Sequence, residues 1–396
     1  MLDIGARYGA NNYDPLPVML ARGEGAWVWD VEGKRYLDLL SAYSALNFGH
    51  AHPELVSALV KQANTFSLCS RAFNCDQLVH FCRELAEFCG LEAVLPMNSG
   101  TEAVETALKV ARKWGAERKG LAGDRAKIIV MANNFHGRSI TVISFSTEPA
   151  YREGFGPFTP GFEVVEFGNI GALESACDDN TIAVLLEPIQ AEAGILIPQA
   201  GYLKKVRDIC TKRRCLLILD EIQTGLGRTG RNFCFQHEGI VPDILVVGKS
   251  LGGGLLPVSA IVSTRGIMDV IQPGQHGSTF GGNPLAAAVG RRALQLLGEL
   301  DLPQRAQRMG ELIAQRLVAV RKSPAVVDVR GCGALYAIEL RPEAGGARRY
   351  CELLSTRGVL CKETHSHVIR IAPPLTIPTS DLEWGLNQIV ETVLNY

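Results

Sequence analysis

Apolar and polar positions change rhythm along this chain. Over residues 22–40 (RGEGAWVWDVEGKRYLDLL) they alternate around Gly33, which predicts a β-hairpin. Helical spacing then appears at 53–67, 76–89 and 101–118. Short apolar runs follow at KIIVMA (127–132), TIAVLLEP (181–188), CLLILD (215–220), DILVVG (243–248) and VSAIVS (258–263), and these read as strands. The stretch 201–214, between two of them, reads as a helix. Strands alternating with helices predict an α/β layer sandwich with a mainly parallel central sheet.

The texture shifts after Asn283–Pro284. Helical patterns at 285–300 and 303–321 lead into a strand-bearing stretch, VVDVRGCGALYAIEL (326–340), and a last helix is predicted at 380–394. The division expected is a large domain over 44–285 and a smaller α/β domain over 286–396. The N-terminal segment, 1–43, is expected to join the smaller one.

A chain of 396 residues is too long for one compact core, in line with this division. Hydrophobic residues make up 47% and charged residues 20%, an ordinary balance for a soluble globular protein. The net charge of -1 leaves no basic excess for nucleic acid or an anionic membrane, so any anion must be held by a local site. No apolar run is long enough to span a membrane, and Met1 to Tyr13 lacks a signal pattern. A cytoplasmic or organelle-matrix location is expected. The 11 cysteines include no CxxC, which favours reduced thiols over a disulfide framework; Cys75, Cys82 and Cys89, seven residues apart, are expected near one helix face. His50/His52 and His365/His367 lack Cys or acidic partners at metal-ligand spacing and read as turn or pocket-lining residues; no metal is expected.

Ligands of open α/β sheets collect at the carboxyl ends of the strands. Asp220 ends CLLILD, where a carboxylate needs a cation or hydrogen-bond donors; capping the next helix is the simpler role. Lys249 ends DILVVGK before a glycine run. Desolvation there disfavours its ammonium form, and a neutral amine can condense with an aldehyde; the alternative is a lysine that reaches out to water. In MNSGTEAVETALKVARKW (97–114), Ser99, Gly100 and Thr101 open a helix whose free N–H groups suit a phosphate, or Ser99 and Thr101 are only caps. Taken together, a phosphate cup, a carboxylate and an amine are what pyridoxal 5'-phosphate (PLP) requires. GLGRTGR (225–231) lacks the spacing of a dinucleotide loop.

These residues sit in blocks that resemble a known family over nearly the whole chain. They include YGANNYDPLPV (8–18), NSGTEAVETALKVARKW (98–114), NFHGR (134–138), LEPIQAEAG (186–194), LDEIQTGLGRTG (219–230), GKSLGGGLLPVSA (248–260), GSTFGGNP (277–284) and IRIAPPL (369–375). The chain resembles the class III aminotransferases of the fold-type I PLP-dependent transferases. Within them it is similar to the branch that acts on the δ-amine of ornithine with 2-oxoglutarate as acceptor. The resemblance implies that Lys249 carries PLP as a Schiff base and that Asp220 pairs with the pyridine nitrogen. Gln223 would approach the ring hydroxyl, Phe135 would stack on the ring, and His136 would join the cofactor set. Ser99, Gly100 and Thr101 would bind the phosphate, with Ser278 and Thr279 added from the partner subunit of a homodimer.

For substrates, the resemblance implies carboxylate sites at Arg138 and Arg370, and Glu192 as a gate that pairs with Arg370 while ornithine is bound. Tyr13 and Tyr43 would lie near the far end of ornithine. Two positions depart from the family pattern: Ala191 replaces a usual glycine, and Ser250 a usual alanine. Other readings on the same fold are an acetylornithine, 4-aminobutyrate or diamine aminotransferase, or a PLP-dependent racemase, aminomutase or decarboxylase; a non-catalytic PLP-binding scaffold is a further one.

Overall fold

The apolar runs become the middle of a seven-stranded sheet. The computed structural model describes residues 2–121 and 123–395. Its strands are β1 (Leu20–Glu24), β2 (Trp27–Asp30), β3 (Arg35–Asp38), β4 (Ala93–Met97), β5 (Lys127–Met131), β6 (Phe162–Val165), β7 (Thr181–Leu186), β8 (Leu216–Asp220), β9 (Ile244–Val247) and β10 (Ser259–Ser263). They continue as β11 (Val326–Cys332), β12 (Leu335–Leu340), β13 (Val359–Leu360), β14 (Lys362–Thr364) and β15 (Val368–Ile371). The central sheet runs in the order β4-β10-β9-β8-β7-β5-β6. Its neighbours from β9 to β6 are parallel, and β10 is antiparallel to both β4 and β9.

Burial on both faces explains why these strands read as unbroken apolar runs rather than alternating ones. Ile128, Val130, Ile218 and Val246 share a core with Ala107, Val110 and Ala111 of helix Gly100–Lys119. The alternate residues Ile129, Met131, Leu219 and Val247 point to the other core, with Val206 and Ile209 of helix Tyr202–Arg213. Helix Gly100–Lys119 lies very close to β7. A Cβ at Gly115 would stand 2.5 Å from Ile182, so only glycine permits that approach.

The hairpin about Gly33 is formed by β2 and β3, with Trp27 opposite Leu37 and Gly33 at φ 86°. β3 also pairs in parallel with β13, so the N-terminal segment is part of the C-terminal layer. A third sheet, β11-β12-β15-β14, is antiparallel and carries Arg370. Helix Pro284–Glu299 begins at the expected domain boundary, yet it is seated on helices Pro53–Ala63 and Asp76–Cys89 of the large layer. All eleven cysteines are free thiols. Burial pushes Cys82 up to about 11 and Cys89 higher still, which leaves them little thiolate character. Among the described residues, no helix is long and apolar enough to cross a membrane.

Candidate active site

Strand register brings the chemistry together. Leu186 is level with Leu219 across β7 and β8, so the next residues, Glu187 and Asp220, emerge side by side. Asp220 is level with Val246, and β9 then leads through Gly248 to Lys249. Lys249 adopts φ 47°, a left-handed conformation that a non-glycine residue takes only when its surroundings impose it. One cleft is lined by Thr101, Phe135, His136, Asp220, Gln223 and Lys249. Its walls are completed by Gly137, Glu187, Ile189, Ile222 and Thr224.

Asp220 is buried and fully engaged. One carboxylate oxygen meets His136 Nδ1 at 2.8 Å and the other accepts the Ile222 N–H at 3.0 Å. These contacts fix its plane toward the cleft. Burial lowers the pKa of Lys249, an effect opposed in part by the acids Glu192, Asp220 and Glu187. The amine is therefore biased toward its neutral, nucleophilic form.

At the far end of the cleft, Ser99 caps the twenty-residue helix Gly100–Lys119. Its hydroxyl accepts the Glu102 N–H, while Glu102 reaches back to the Ser99 N–H at 2.9 Å. The N–H groups of Gly100 and Thr101 lie in the first turn, where no intrahelical partner is available. Gly137 (φ 120°) closes over them, and a Cβ there would stand 2.1 Å from Thr101 Oγ1. Helix N–H groups and the helix dipole suit a phosphate, Asp220 suits a protonated ring nitrogen, and Lys249 suits an aldehyde. The residues present fit PLP.

The residues expected to receive substrate come from β15 and two loops. Arg370 is buried and pairs with Glu192 at 2.9 Å, while Glu192 also accepts Gln223 Nε2 at 3.0 Å. Gln223 thus engages the carboxylate expected to act as a gate. Burial alone would raise the pKa of Glu192, but Arg370 and Gln223 outweigh it and leave the carboxyl below its ordinary value. Thr364 donates to the Glu192 carbonyl. Tyr43 lies against Arg370, with the guanidinium carbon 4.6 Å from the ring centroid. Arg138, exposed at the mouth, stacks on Tyr151 at 3.8 Å and more loosely on Phe135 at 5.6 Å.

Not every expected residue reaches this cleft. Tyr13 is 74% exposed and shares with Tyr43 a separate, mostly apolar pocket of about 520 Å³ that includes Leu16, Leu40 and Leu46. Ser278 lies outside the cleft, its hydroxyl bonded to Asn98 Nδ2 and Gly281 N at 3.0 Å, and Thr279 is exposed. Ala191, which precedes Glu192 in the chain, is fully buried.

Three features were not anticipated from sequence. Glu187 accepts the Phe135 N–H at 3.0 Å, and burial together with the Asp220 charge holds it well above the usual carboxylate range. It ends TIAVLLE as Asp220 ends CLLILD, so the signal was available. Tyr43 is carried on a left-handed turn, Ser41–Ser44 having φ 50°, 45°, 61° and 69°. Such a conformation costs roughly 1–2 kcal/mol per residue, and Asp38 restrains it by accepting the Leu40 and Ser41 N–H groups. Finally, buried Asn47 donates to Leu226 O at 2.9 Å and Ser250 Oγ at 3.0 Å, and accepts from Arg228. Arg228, wholly buried, also donates to Pro373 O at 2.6 Å and Ala334 O at 3.1 Å; burial lowers its pKa to about 9. This hub ties the Tyr43 turn, the Lys249 turn and the Arg370 strand to one another.

Known proteins share this fold. The family of class-III aminotransferases matches residues 8–393. Ornithine aminotransferase of Bordetella pertussis is 52% identical over 385 residues, covering 97% of this chain and 93% of the relative. The structure of ornithine aminotransferase from Toxoplasma gondii, with PLP at partial occupancy in its active site, superposes with a TM-score of 0.98 at 43% identity, covering 100% of this chain and 93% of that one. Acetylornithine aminotransferase from Elizabethkingia anophelis reaches 0.91 at 45% identity, covering 100% and 98%. With the family spanning nearly every described element, from the N-terminal segment to the last helix, the chain belongs to the class-III aminotransferases.

Proposed function

We propose that this chain is a PLP-dependent ω-aminotransferase that moves the δ-amino group of ornithine to 2-oxoglutarate, giving glutamate 5-semialdehyde, which cyclises to pyrroline-5-carboxylate, and glutamate. The observation that carries this reading is the Glu192–Arg370 pair beside Lys249. A donor presenting an ω-amine has no carboxylate next to the reacting carbon, and a bare buried arginine there would attract the wrong end of it. Glu192 masks that charge. A dicarboxylate acceptor can displace Glu192 and take Arg370 as a bidentate partner, with Arg138 receiving its other carboxylate.

When bound, PLP supplies a cationic ring that stabilises negative charge on the carbon bearing the amine. Lys249 Nζ, which burial biases toward the neutral form, would take the proton from the δ-carbon and return it on the other side of the exchange. Asp220, oriented by His136 and Ile222 N–H, holds the proton on the pyridine nitrogen. Gly100 and Thr101 N–H, with Ser99 and Thr101 hydroxyls alongside, anchor the phosphate. Phe135, fastened through its N–H to Glu187, covers the ring face. Tyr43 narrows the donor channel next to Arg370, with Tyr13 behind it in the adjoining pocket rather than at the cleft.

The same reading includes a homodimer, in which Ser278 and Thr279 of a second copy complete the phosphate site, because within one chain neither lines the cleft. It also places the enzyme in the cytoplasm, where free thiols are maintained. In domain terms, segment 1–43 joins residues 286–396 around the large PLP-binding unit, as the β3–β13 pairing suggests.

A donor panel of ornithine, acetylornithine, 4-aminobutyrate and a diamine, each with 2-oxoglutarate, tests the reading. Ornithine should give the highest kcat/KM, with glutamate and trapped semialdehyde formed one to one. Acetylornithine is the strongest competitor, given the similar structure from Elizabethkingia anophelis. A higher kcat/KM for it would overturn the donor assignment.

A further inference from the structure

Each arginine at the cleft has its own tyrosine. Tyr43 serves Arg370, and Tyr151 serves Arg138 at the closer distance of 3.8 Å. The two arginines differ in what else holds them. Arg370 has Glu192 at 2.9 Å, whereas Arg138 forms no such ion pair among the described residues. Its guanidinium is held by rings. Phe135 and Tyr151 meet edge to face at 6.1 Å and 76°, making an aromatic corner for it.

Tyr151 is itself well fastened. It ends the short 3₁₀ turn Pro149–Tyr151, with its N–H on Glu148 O at 3.1 Å. The next residue, Arg152, donates to Ser146 O at 2.9 Å and lies 4.5 Å from the Phe158 ring centroid. The phenol also senses the gate. Burial pushes its pKa up; Arg138 and Arg370 pull it down, while Glu192 and Glu148 add to the rise. Its hydroxyl therefore sits in the field of both carboxylate-binding arginines.

We propose that Tyr151 is a specificity-determining residue for the dicarboxylate acceptor: its ring fixes the plane of the Arg138 guanidinium, and its hydroxyl donates to the carboxylate that Arg138 receives. The physical reason is entropic as well as polar. A bidentate pair needs the guanidinium in one orientation, and an exposed arginine has many rotamers to lose. The stack removes those rotamers before the acceptor arrives. The inference rests on the reading of Arg138 as a carboxylate site.

The test uses holoenzyme carrying Tyr151→Leu, Tyr151→Phe, Arg138→Gln, or Tyr151→Leu with Arg138→Gln. Tyr151→Leu should raise KM for 2-oxoglutarate roughly 3- to 30-fold, the span of a cation–π contact from exposed to desolvated settings. At saturating acceptor, kcat should stay within about twofold, because uniform binding is what is lost. Tyr151→Phe keeps the ring and should give a smaller rise, which also guards against misfolding of the leucine variant. In the Arg138→Gln background, Tyr151→Leu should add no further rise. If Arg138→Gln leaves KM for 2-oxoglutarate unchanged, the carboxylate reading of Arg138 fails. If Arg138→Gln raises it and Tyr151→Leu does not, or lowers kcat alone, only the role of Tyr151 fails.

Discussion

Replacing Asn47 by alanine should destabilise the protein far more than the loss of one surface amide would. The wild-type side chain satisfies three groups, Leu226 O, Ser250 Oγ and Arg228, all in a buried setting. Asn47→Ala removes two neutral hydrogen bonds at about 1 kcal/mol each and one to a charged group at about 1.5–3 kcal/mol. It also leaves the Arg228 guanidinium, already lowered to about 9 by burial, with one acceptor fewer. The sum is about 4 kcal/mol. With an unfolding entropy of about 2.1 cal/mol/K per residue, a 396-residue chain gains about 0.8 kcal/mol per degree. Tm should therefore fall by about 5 °C, read by differential scanning calorimetry at fixed protein and PLP concentrations. Ser250→Ala deletes a single acceptor and should cost only about 1 °C by the same arithmetic. If Asn47→Ala melted with the wild type while Ser250→Ala did not, the hub would not depend on Asn47, and Arg228 would have another acceptor.

Lys249→Ala should abolish multiple-turnover transamination while PLP still binds through the phosphate cup; sustained glutamate formation would remove Lys249 from the mechanism. Lys249→Met should also stabilise the cofactor-free protein at neutral pH. The folded-state pKa of Lys249 is lowered, so the unfolded chain binds more protons between that value and the ordinary lysine value of 10.5, and wild-type stability rises with pH across this window. The advantage of Lys249→Met should shrink as pH approaches 10.5, and a pH-independent difference would contradict the desolvation of Lys249. Glu192→Gln should unmask Arg370 and lower the ratio of kcat/KM for ornithine to that for glutamate; an unchanged ratio would separate the Arg370 pair from donor choice. Asp220→Asn should cut kcat by about 10² or more, as expected for loss of a fixed charge at a developing carbanion, and wild-type kcat would refute its electrostatic role.

Much of the fold was legible because the central strands are buried on both faces. Ile218 and Leu219 face opposite cores, so nothing polar interrupts the run until Asp220, where the strand reaches the cleft. The same logic locates Lys249 after Val247. Short edge elements were harder. β6 and β13 are brief and take their identity from a neighbour far along the chain, as when β13 finds β3. Arg228 was hidden for a related reason: its acceptors lie near residues 334 and 373, and within GLGRTGR it looks like an ordinary loop arginine. Tyr151 had no periodic context either. Its stack is onto a side chain thirteen positions earlier, which spacing rules for helices and strands do not detect.

The hub around Arg228 also sets the order in which this molecule can be completed during synthesis. Its guanidinium needs carbonyls from Ala334 and Pro373, and Asn47 receives its backbone partner from the Leu375 N–H. Until those residues have left the ribosome, a charge destined for full burial must remain hydrated, and the loop that bears it must remain open. The nascent large sheet can assemble first, with Ser250 already present to meet Asn47, while the Arg228 loop waits for its C-terminal carbonyls. A product truncated before Ala334 would lack both carbonyls that hold Arg228 and leave Asn47 as the acceptor seen for it.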